Sequence, residues 1–282
     1  MTVRDYRWPE WVGKRSLALL CSYSGDTEET LALYDDAARR GIARAVITTG
    51  GELWTRATAD GAPRMRIPAG SPPRAALFSA WVPLTRLLAA LGWIEEPESA
   101  WKEAAERLTE RNAEWSPRVR EAENAAKQAA RALHRRHITI VAGSERLGAV
   151  ATRLRNQINE NAKLPAHSAV APELNHNEIV GWERSGPLSD RSAILLLRDP
   201  EDTPEVEARL TITAEYAARQ GMVVVEAPAE SGKRLARIAA RVHFGDYLSL
   251  YLAMLDGVDP TPIVSIDEFK RRLLYWRAQR VC

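Results

Sequence analysis

Residues 16–41 read SLALLCSYSGDTEETLALYDDAARRG, and their order of residue types decides the fold class. The apolar run at 16–23 reads as a buried strand, the polar SGDT as a turn, and 28–40 as a helix with apolar residues at helical spacing. Gly41 stands where a helix C-cap glycine is expected. A strand buried on both faces, then a turn, then a helix is the opening half of a parallel crossover unit.

The same plan continues outward. Residues 45–49 (AVITT) and 64–68 (RMRIP) read as short strands, and 74–91 as a helix interrupted by Pro83. A charged, alanine-rich stretch at 101–136, broken at Ser116-Pro117, reads as one or two amphipathic helices that link domains with a solvated polar face. A second round begins at 138–142 (ITIVA), followed by GSERLG and a helix through Lys163. Strands at 193–197 and 222–226 flank a helix around 206–219; helices at 232–256 and from Ile266 to about Arg280 close the chain. With 282 residues the length suits two α/β domains. The expected division is 1–120 for the first domain with its linker helix, 121–257 for the second, and 258–282 for a tail helix.

Composition excludes several function classes. Hydrophobic residues at 45% and charged residues at 27% are ordinary for a globular chain. No apolar run is long enough to span a bilayer, and the opening MTVRDYRWPEWVGKR has no signal-peptide core, so a cytoplasmic protein is expected. The 39 basic and 37 acidic residues balance to +2, which gives no footprint for nucleic acid. Cys21 lies in an apolar strand and Cys282 ends the chain, so neither a disulfide framework nor a zinc cluster is expected. His134 and His137 read as a solvated helix end, and with no HExxH pattern no metal or other cofactor is expected.

Three motifs read as decoys. AESGKRL around Gly232-Lys233 lacks the first glycine and the Ser/Thr of a P-loop. GSERLG follows a strand and opens a helix, where anions can sit, but it lacks the third glycine of a dinucleotide fingerprint. The basic, aromatic KRRLLYWRAQR is read as an amphipathic helix with Leu273, Leu274 and Trp276 turned inward.

The stretch 21–31 (CSYSGDTEETL) gathers Ser22, Ser24 and Thr27 around a glycine where strand turns into helix. Helix N-termini leave donors free and favour anions, so the three hydroxyls are candidate phosphate ligands. The alternative is plain capping, with Asp26 as N-cap and Glu29 three residues on.

SYSGDTEET resembles the phosphosugar-binding signature of sugar isomerase (SIS) domains. The blocks at 48–51 (TTGG), 73–77 (PRAAL), 159–163 (NENAK) and 173–182 (ELNHNEIVGW) resemble one branch, the bifunctional phosphoglucose/phosphomannose isomerases. The similarity runs in order from about Tyr6 to Lys270. It implies two SIS-type α/β/α sandwich domains with parallel sheets. It also implies interconversion of glucose 6-phosphate, and with it mannose 6-phosphate, with fructose 6-phosphate through a cis-enediolate.

The resemblance assigns roles residue by residue. Glu160 matches the base that carries a proton between C2 and C1, a task needing one group within reach of both carbons. His176 matches the histidine that opens the sugar ring, supplied in relatives by the neighbouring subunit, which implies a homodimer. Arg74 matches the arginine that holds enediolate charge. Lys270 matches a lysine near the ring oxygen, and Thr261 a threonine that bears on the C2 epimer. Read without the resemblance, Glu160 and Lys270 are solvated helix residues, His176 a structural histidine, and Arg74 a helix-start cation. Relatives open with a further strand and a glycine-serine turn before the segment equivalent to Tyr6, whereas the first glycine here is Gly13. A first sheet lacking one strand is therefore expected, through a start assigned downstream or a lost element. The competing readings are a non-catalytic phosphosugar sensor and a SIS isomerase of pentose or heptose phosphates.

Overall fold

The computed structural model describes residues 1–183 and 186–279; the expected helix end at Arg280 and the expected terminal thiol of Cys282 lie outside the described residues. Two compact units divide the chain, Met1–Ser99 and Ala100–Cys282. The division falls earlier than the expected boundary at 120, because the helix at Glu98–Trp115 packs with the second unit.

In the first unit, β1 (Leu17–Cys21), β2 (Ala43–Thr48) and β3 (Arg64–Arg66) form a parallel sheet in the order β1-β2-β3. Helix α1 (Glu28–Arg39) follows β1 and ends at Gly41, whose φ of 65° is the left-handed C-cap that glycine allows. Helix α2 (Gly51–Ala59) follows β2, and α3 (Leu77–Ala90) carries Pro83 within it. The segment before β1 is fastened onto α1. Trp8 donates its backbone N–H to Asp36 and its indole N–H to Leu33 O, while Arg40 collects the carbonyls of Trp8, Pro9, Glu10 and Val12. Leu20, Leu33, Tyr34, Val46 and Leu53 form the core beneath.

Helix α2 is not legible in the sequence, since it opens on two glycines, the weakest helix formers after proline. It forms because its first turn is held from outside. Asp26 Oδ1 accepts from Glu52 N–H at 2.9 Å, and Gly25 O accepts from Leu53 N–H at 2.9 Å.

In the second unit, β4 (His137–Ala142), β5 (Ala166–Val170), β6 (Ser192–Leu197) and β7 (Val223–Glu226) form a parallel sheet in the order β5-β4-β6-β7. Ala193 to Leu197 are at most 1% exposed, which fits a strand covered on both faces. Each buried Leu or Ile there stabilises the sheet by about 1.5–3 kcal/mol. Edge strand β5, AHSAV, is polar and half-buried, and so carries no apolar run that the sequence could announce.

Helices α4 (Glu98–Trp115), α5 (Ala125–Leu133), α6 (Glu145–Gln157), α7 (Pro204–Arg219), α8 (Arg234–Leu255) and α9 (Val264–Ala278) complete the unit. The expectation of a merely linking helix at 101–136 gives way to a packed one. Trp115 is 2% exposed against Phe244, its carbonyl accepts from Tyr251 Oη, and Arg111 pairs with the buried Glu230. Among the described residues no helix is long and apolar enough to cross a membrane.

Candidate active site

The first group of candidate residues is built by two crossing turns of the first unit. Gly25 adopts φ 79°, and a Cβ there would lie 1.9 Å from Gly50 O. The SYSG turn after β1 thus packs directly on the TTGG turn after β2, and only glycine fits. Tyr23 O accepts from Thr49 N–H at 3.0 Å and from Thr49 Oγ1 at 2.8 Å, which locks the two turns together. The Tyr23 hydroxyl accepts from Ser71 N–H at 2.9 Å. That bond ties the same turn to the segment carrying Arg74, which lies half-buried in a short 3₁₀ turn, Pro73–Ala75.

The hydroxyls are arranged in series. Ser22 is buried, and its Oγ accepts from Gly25 N–H at 3.1 Å and lies 2.8 Å from Thr27 Oγ1. When Ser22 donates to Thr27, the exposed Thr27 hydroxyl keeps its hydrogen for an acceptor outside the protein, and each bond in such a chain polarises the next. Ser24 Oγ, also exposed, accepts from Asp26 N–H at 3.1 Å. Thr27 is the N-cap of α1 and makes no side-chain capping bond, so its hydroxyl is not spent on the helix. The capping alternative is corrected at this point. Asp26 serves as a cap for α2, not α1, and its carboxylate is turned toward Glu52 N–H. An uncapped helix start ringed by hydroxyls suits an oxyanion.

In the second unit, Glu160 lies on a single π-helical turn, Ile158–Ala162, that continues α6. Such turns insert a residue into the helix and redirect the side chains they carry. Ile158, Asn161 and Ala162 are buried, while Asn159 and Glu160 remain accessible. The turn is fixed from two directions. Asn161 Nδ2 donates to Ser249 Oγ on α8 at 2.9 Å, and Asn159 Oδ1 accepts from Ala166 N–H at the start of β5 at 2.9 Å. One turn earlier, Arg153 and Gln157 both bond Asp246 of α8. Burial pushes that carboxyl above the ordinary range, against the pull of Arg153 and Gln157.

His176 ends a 3₁₀ turn, Glu173–His176, and is exposed. Its neighbours hold the turn: Leu174 and Trp182 are buried in the core, and Asn175 Nδ2 donates to Thr213 Oγ1 at 2.8 Å. Thr261 is exposed in the loop before α9, its N–H bonded to Asp259 Oδ1 at 2.8 Å. Lys270 is exposed on α9. The inward packing expected of the closing helix is not seen, since Leu274 and Trp276 are 67% and 50% exposed.

The structure therefore joins Ser22, Ser24 and Thr27 in one turn and links the Arg74 segment to it. His176, Thr261 and Lys270 stand on separate exposed segments of the second unit. Tyr23, Thr49, Gly25 and Asn161 are the residues that residue-by-residue reasoning missed; each lies inside a quoted motif, and the motifs were the available signal. The P-loop-like segment is closed to phosphate, because Glu103 accepts from Lys233 N–H at 2.7 Å and occupies the start of α8. Among the described residues no group of three or more His, Cys, Asp or Glu is placed to hold a metal ion.

Comparison with known proteins gives a consistent result. The bacterial phospho-glucose isomerase C-terminal SIS domain family matches residues 122–273. The bifunctional phosphoglucose/phosphomannose isomerase of Caldicellulosiruptor bescii is 38% identical over 270 residues, covering 96% of this chain and 80% of that protein. The protein of the same description from Aquifex aeolicus is 34% identical over 276 residues, with 96% and 80% covered. Among solved structures, a glucose-6-phosphate isomerase like protein from Thermus thermophilus superposes with a TM-score of 0.60 at 21% identity, over 93% of this chain and 89% of that one. The tagatose-6-phosphate ketose/aldose isomerase of Escherichia coli gives a TM-score of 0.67 at 15% identity, over 89% and 72%. At such identities the two structures speak to the fold alone.

Proposed function

Since this chain belongs to the bifunctional phosphoglucose/phosphomannose isomerase family, we propose that it interconverts glucose 6-phosphate and mannose 6-phosphate with fructose 6-phosphate. The observation that carries the reading is the hydroxyl series Ser22–Thr27 at an uncapped helix start, a phosphate cradle in a chain of this family.

Each step then has a residue suited to it. The hydroxyls of Ser22, Ser24 and Thr27, with the N-terminus of α1, hold the phosphate and orient the sugar. His176, assisted by Lys270, moves a proton between ring oxygen and the anomeric hydroxyl to open the ring. Glu160 takes the C2 proton of the open aldose. The C–H electron pair becomes the C1–C2 double bond, and charge develops on the C1 oxygen, where Arg74 holds it. The proton of the C2 hydroxyl passes to the C1 oxygen as Glu160 returns its own proton to C1, so the oxygen at C2 becomes a carbonyl and the ketose results. No oxidant or reductant enters, since the same carbon pair is oxidised at one end and reduced at the other. Thr261 bears on which C2 epimer is accepted. In this reading the active form is a cytoplasmic homodimer, with His176 supplied across the subunit interface.

A coupled assay with fructose 6-phosphate in the presence of EDTA tests the proposal. Glucose 6-phosphate formation that disappears in Glu160→Gln is expected. Retained binding of fructose 6-phosphate with no turnover by the unsubstituted chain would instead leave a phosphosugar-binding protein.

A further inference from the structure

The π-turn that carries Glu160 ends at Lys163, whose backbone is left-handed with φ 57° and ψ 27°. A non-glycine residue held in that region needs a compensating contact. Here the side chain supplies it. Lys163 Nζ donates to Glu160 O in its own turn, to Pro262 O at 2.7 Å and to Pro260 O at 3.2 Å. An ammonium has three donors, and all three meet backbone carbonyls. Two of those carbonyls flank Thr261, and the loop they belong to opens α9, which carries Lys270.

The loop is also ordered from its own side. Asp259 Oδ1 accepts from Thr261 N–H, which is the main cause of its lowered pKa, and the Lys163 charge adds to it. The cation and the carboxylate therefore hold the same short loop, Lys163 through the carbonyls of Pro260 and Pro262 and Asp259 through the N–H of Thr261 between them. Asn161 and Asn159 fix the π-turn to α8 and β5. Lys163 makes a direct polar link from the π-turn to the 259–263 segment.

We propose that Lys163 is a positioning residue that sets the register between the Glu160 turn and the Thr261 loop, and through it the relative acceptance of glucose and mannose 6-phosphates. The inference rests on the function proposed above. A base that must reach two carbons, beside a loop that senses the configuration at one of them, is sensitive to small relative shifts. Misplacement of about 1 Å can cost as much as a hundredfold in rate.

The test compares the full-length protein with Lys163→Met and Lys163→Arg, with kcat and KM measured for both sugar phosphates. In Lys163→Met, kcat is expected to fall about tenfold and the glucose-to-mannose ratio to change by about threefold or more, with affinity for inorganic phosphate unchanged. Lys163→Arg, which keeps charge and several donors, is expected to recover part of kcat. Hydrogen exchange of the Asp259, Thr261 and Ile263 amides is expected to speed up in Lys163→Met with little change elsewhere. An unchanged epimer ratio together with unchanged exchange at 259–263 would overturn the positioning role. Absence of turnover in the unsubstituted protein would instead refute the isomerase reading, a result distinct from either.

Discussion

The turn after β1 and the turn after β4 occupy the same place in their units, between the first strand of a parallel sheet and the helix that follows it. In the first unit the turn is lined by hydroxyls and its helix has no side-chain cap. In the second, the corresponding space is filled with carboxylates and the cations that hold them. Gly143 lies against Asp202, and Glu201 is bonded by Arg146, Arg234 and Arg237. Ser144, the N-cap there, has its hydroxyl buried without a hydrogen-bond partner. Both turns depend on a glycine for close approach, yet they approach different things. Gly25 meets the backbone of a neighbouring turn, and Gly143 meets side chains. The same strand-turn-helix plan thus presents hydroxyls at the helix start in one unit, the cradle proposed for phosphate, and a structural ion network in the other. What distinguishes them is which side chains face the helix start.

The largest expected effect tests the assignment of chemistry to the second unit. Glu160→Gln should lower turnover by about 10²–10⁴-fold, the usual contribution of a positioned acid-base group, while fructose 6-phosphate binding by calorimetry is retained. A loss of binding along with turnover would blur the division between a binding turn and a reacting one.

The glycines give the next contrast. Gly25→Ala forces a methyl group onto a backbone oxygen at a left-handed position, and thermal unfolding should report a loss of about 3 kcal/mol. Gly143→Ala brings its methyl group within 2.6 Å of Asp202 Oδ2 and 2.8 Å of Leu210 Cδ1, side-chain atoms that can give way. About 1–2 kcal/mol is expected. Reversed magnitudes would show that the first turn is not the tighter crossing.

The hydroxyls sharpen the comparison further. Thr27→Val should weaken binding of inorganic phosphate by about tenfold, the low end of what a hydrogen bond to a charged group contributes. Ser144→Ala should leave phosphate binding unchanged, and equal effects of the two would erase the distinction between the turns.

The smallest effect concerns pH. Side-chain hydrogen bonds from Arg234 and then Arg237 hold Glu201 down from the ordinary 4.5 to about 2. A lowered carboxylate contributes stability above its unfolded value and loses it as pH falls through its folded one. Glu201→Gln should therefore be less stable than the unsubstituted protein near neutrality, and the two melting temperatures should converge between about pH 5 and pH 2. Parallel curves would show that the network does not stabilise the second turn.

Most of the architecture was legible because it is written in long-range periodicity. The apolar runs of β1, β4 and β6 and the polar turns between them announce a parallel sheet without reference to any contact. The elements that escaped are those whose stability comes from elsewhere. Helix α2 needs Asp26 and Gly25 to hold its first turn, and β5 is a polar edge strand made ordered by pairing with β4. The hydroxyl cradle could be read as a cluster of residue types, but not the direction of Asp26, which two readings shared until the contact to Glu52 separated them. Glu160 was reached only through resemblance, since nothing in the spacing of NQINENAK foretells a π-turn. The contacts of Lys163 escaped, although the residue closes the quoted NENAK block, because its partners at Pro260 and Pro262 are distant in sequence and bond through backbone carbonyls that no side-chain pattern encodes.

The most direct test of proton transfer by Glu160 is isomerisation of fructose 6-phosphate in deuterium oxide, with the product examined by proton NMR for deuterium at C2. The expected result is solvent deuterium at C2 of glucose 6-phosphate, with both isomerisation and labelling abolished in Glu160→Gln. Isomerisation or labelling that persists undiminished in Glu160→Gln would contradict the account.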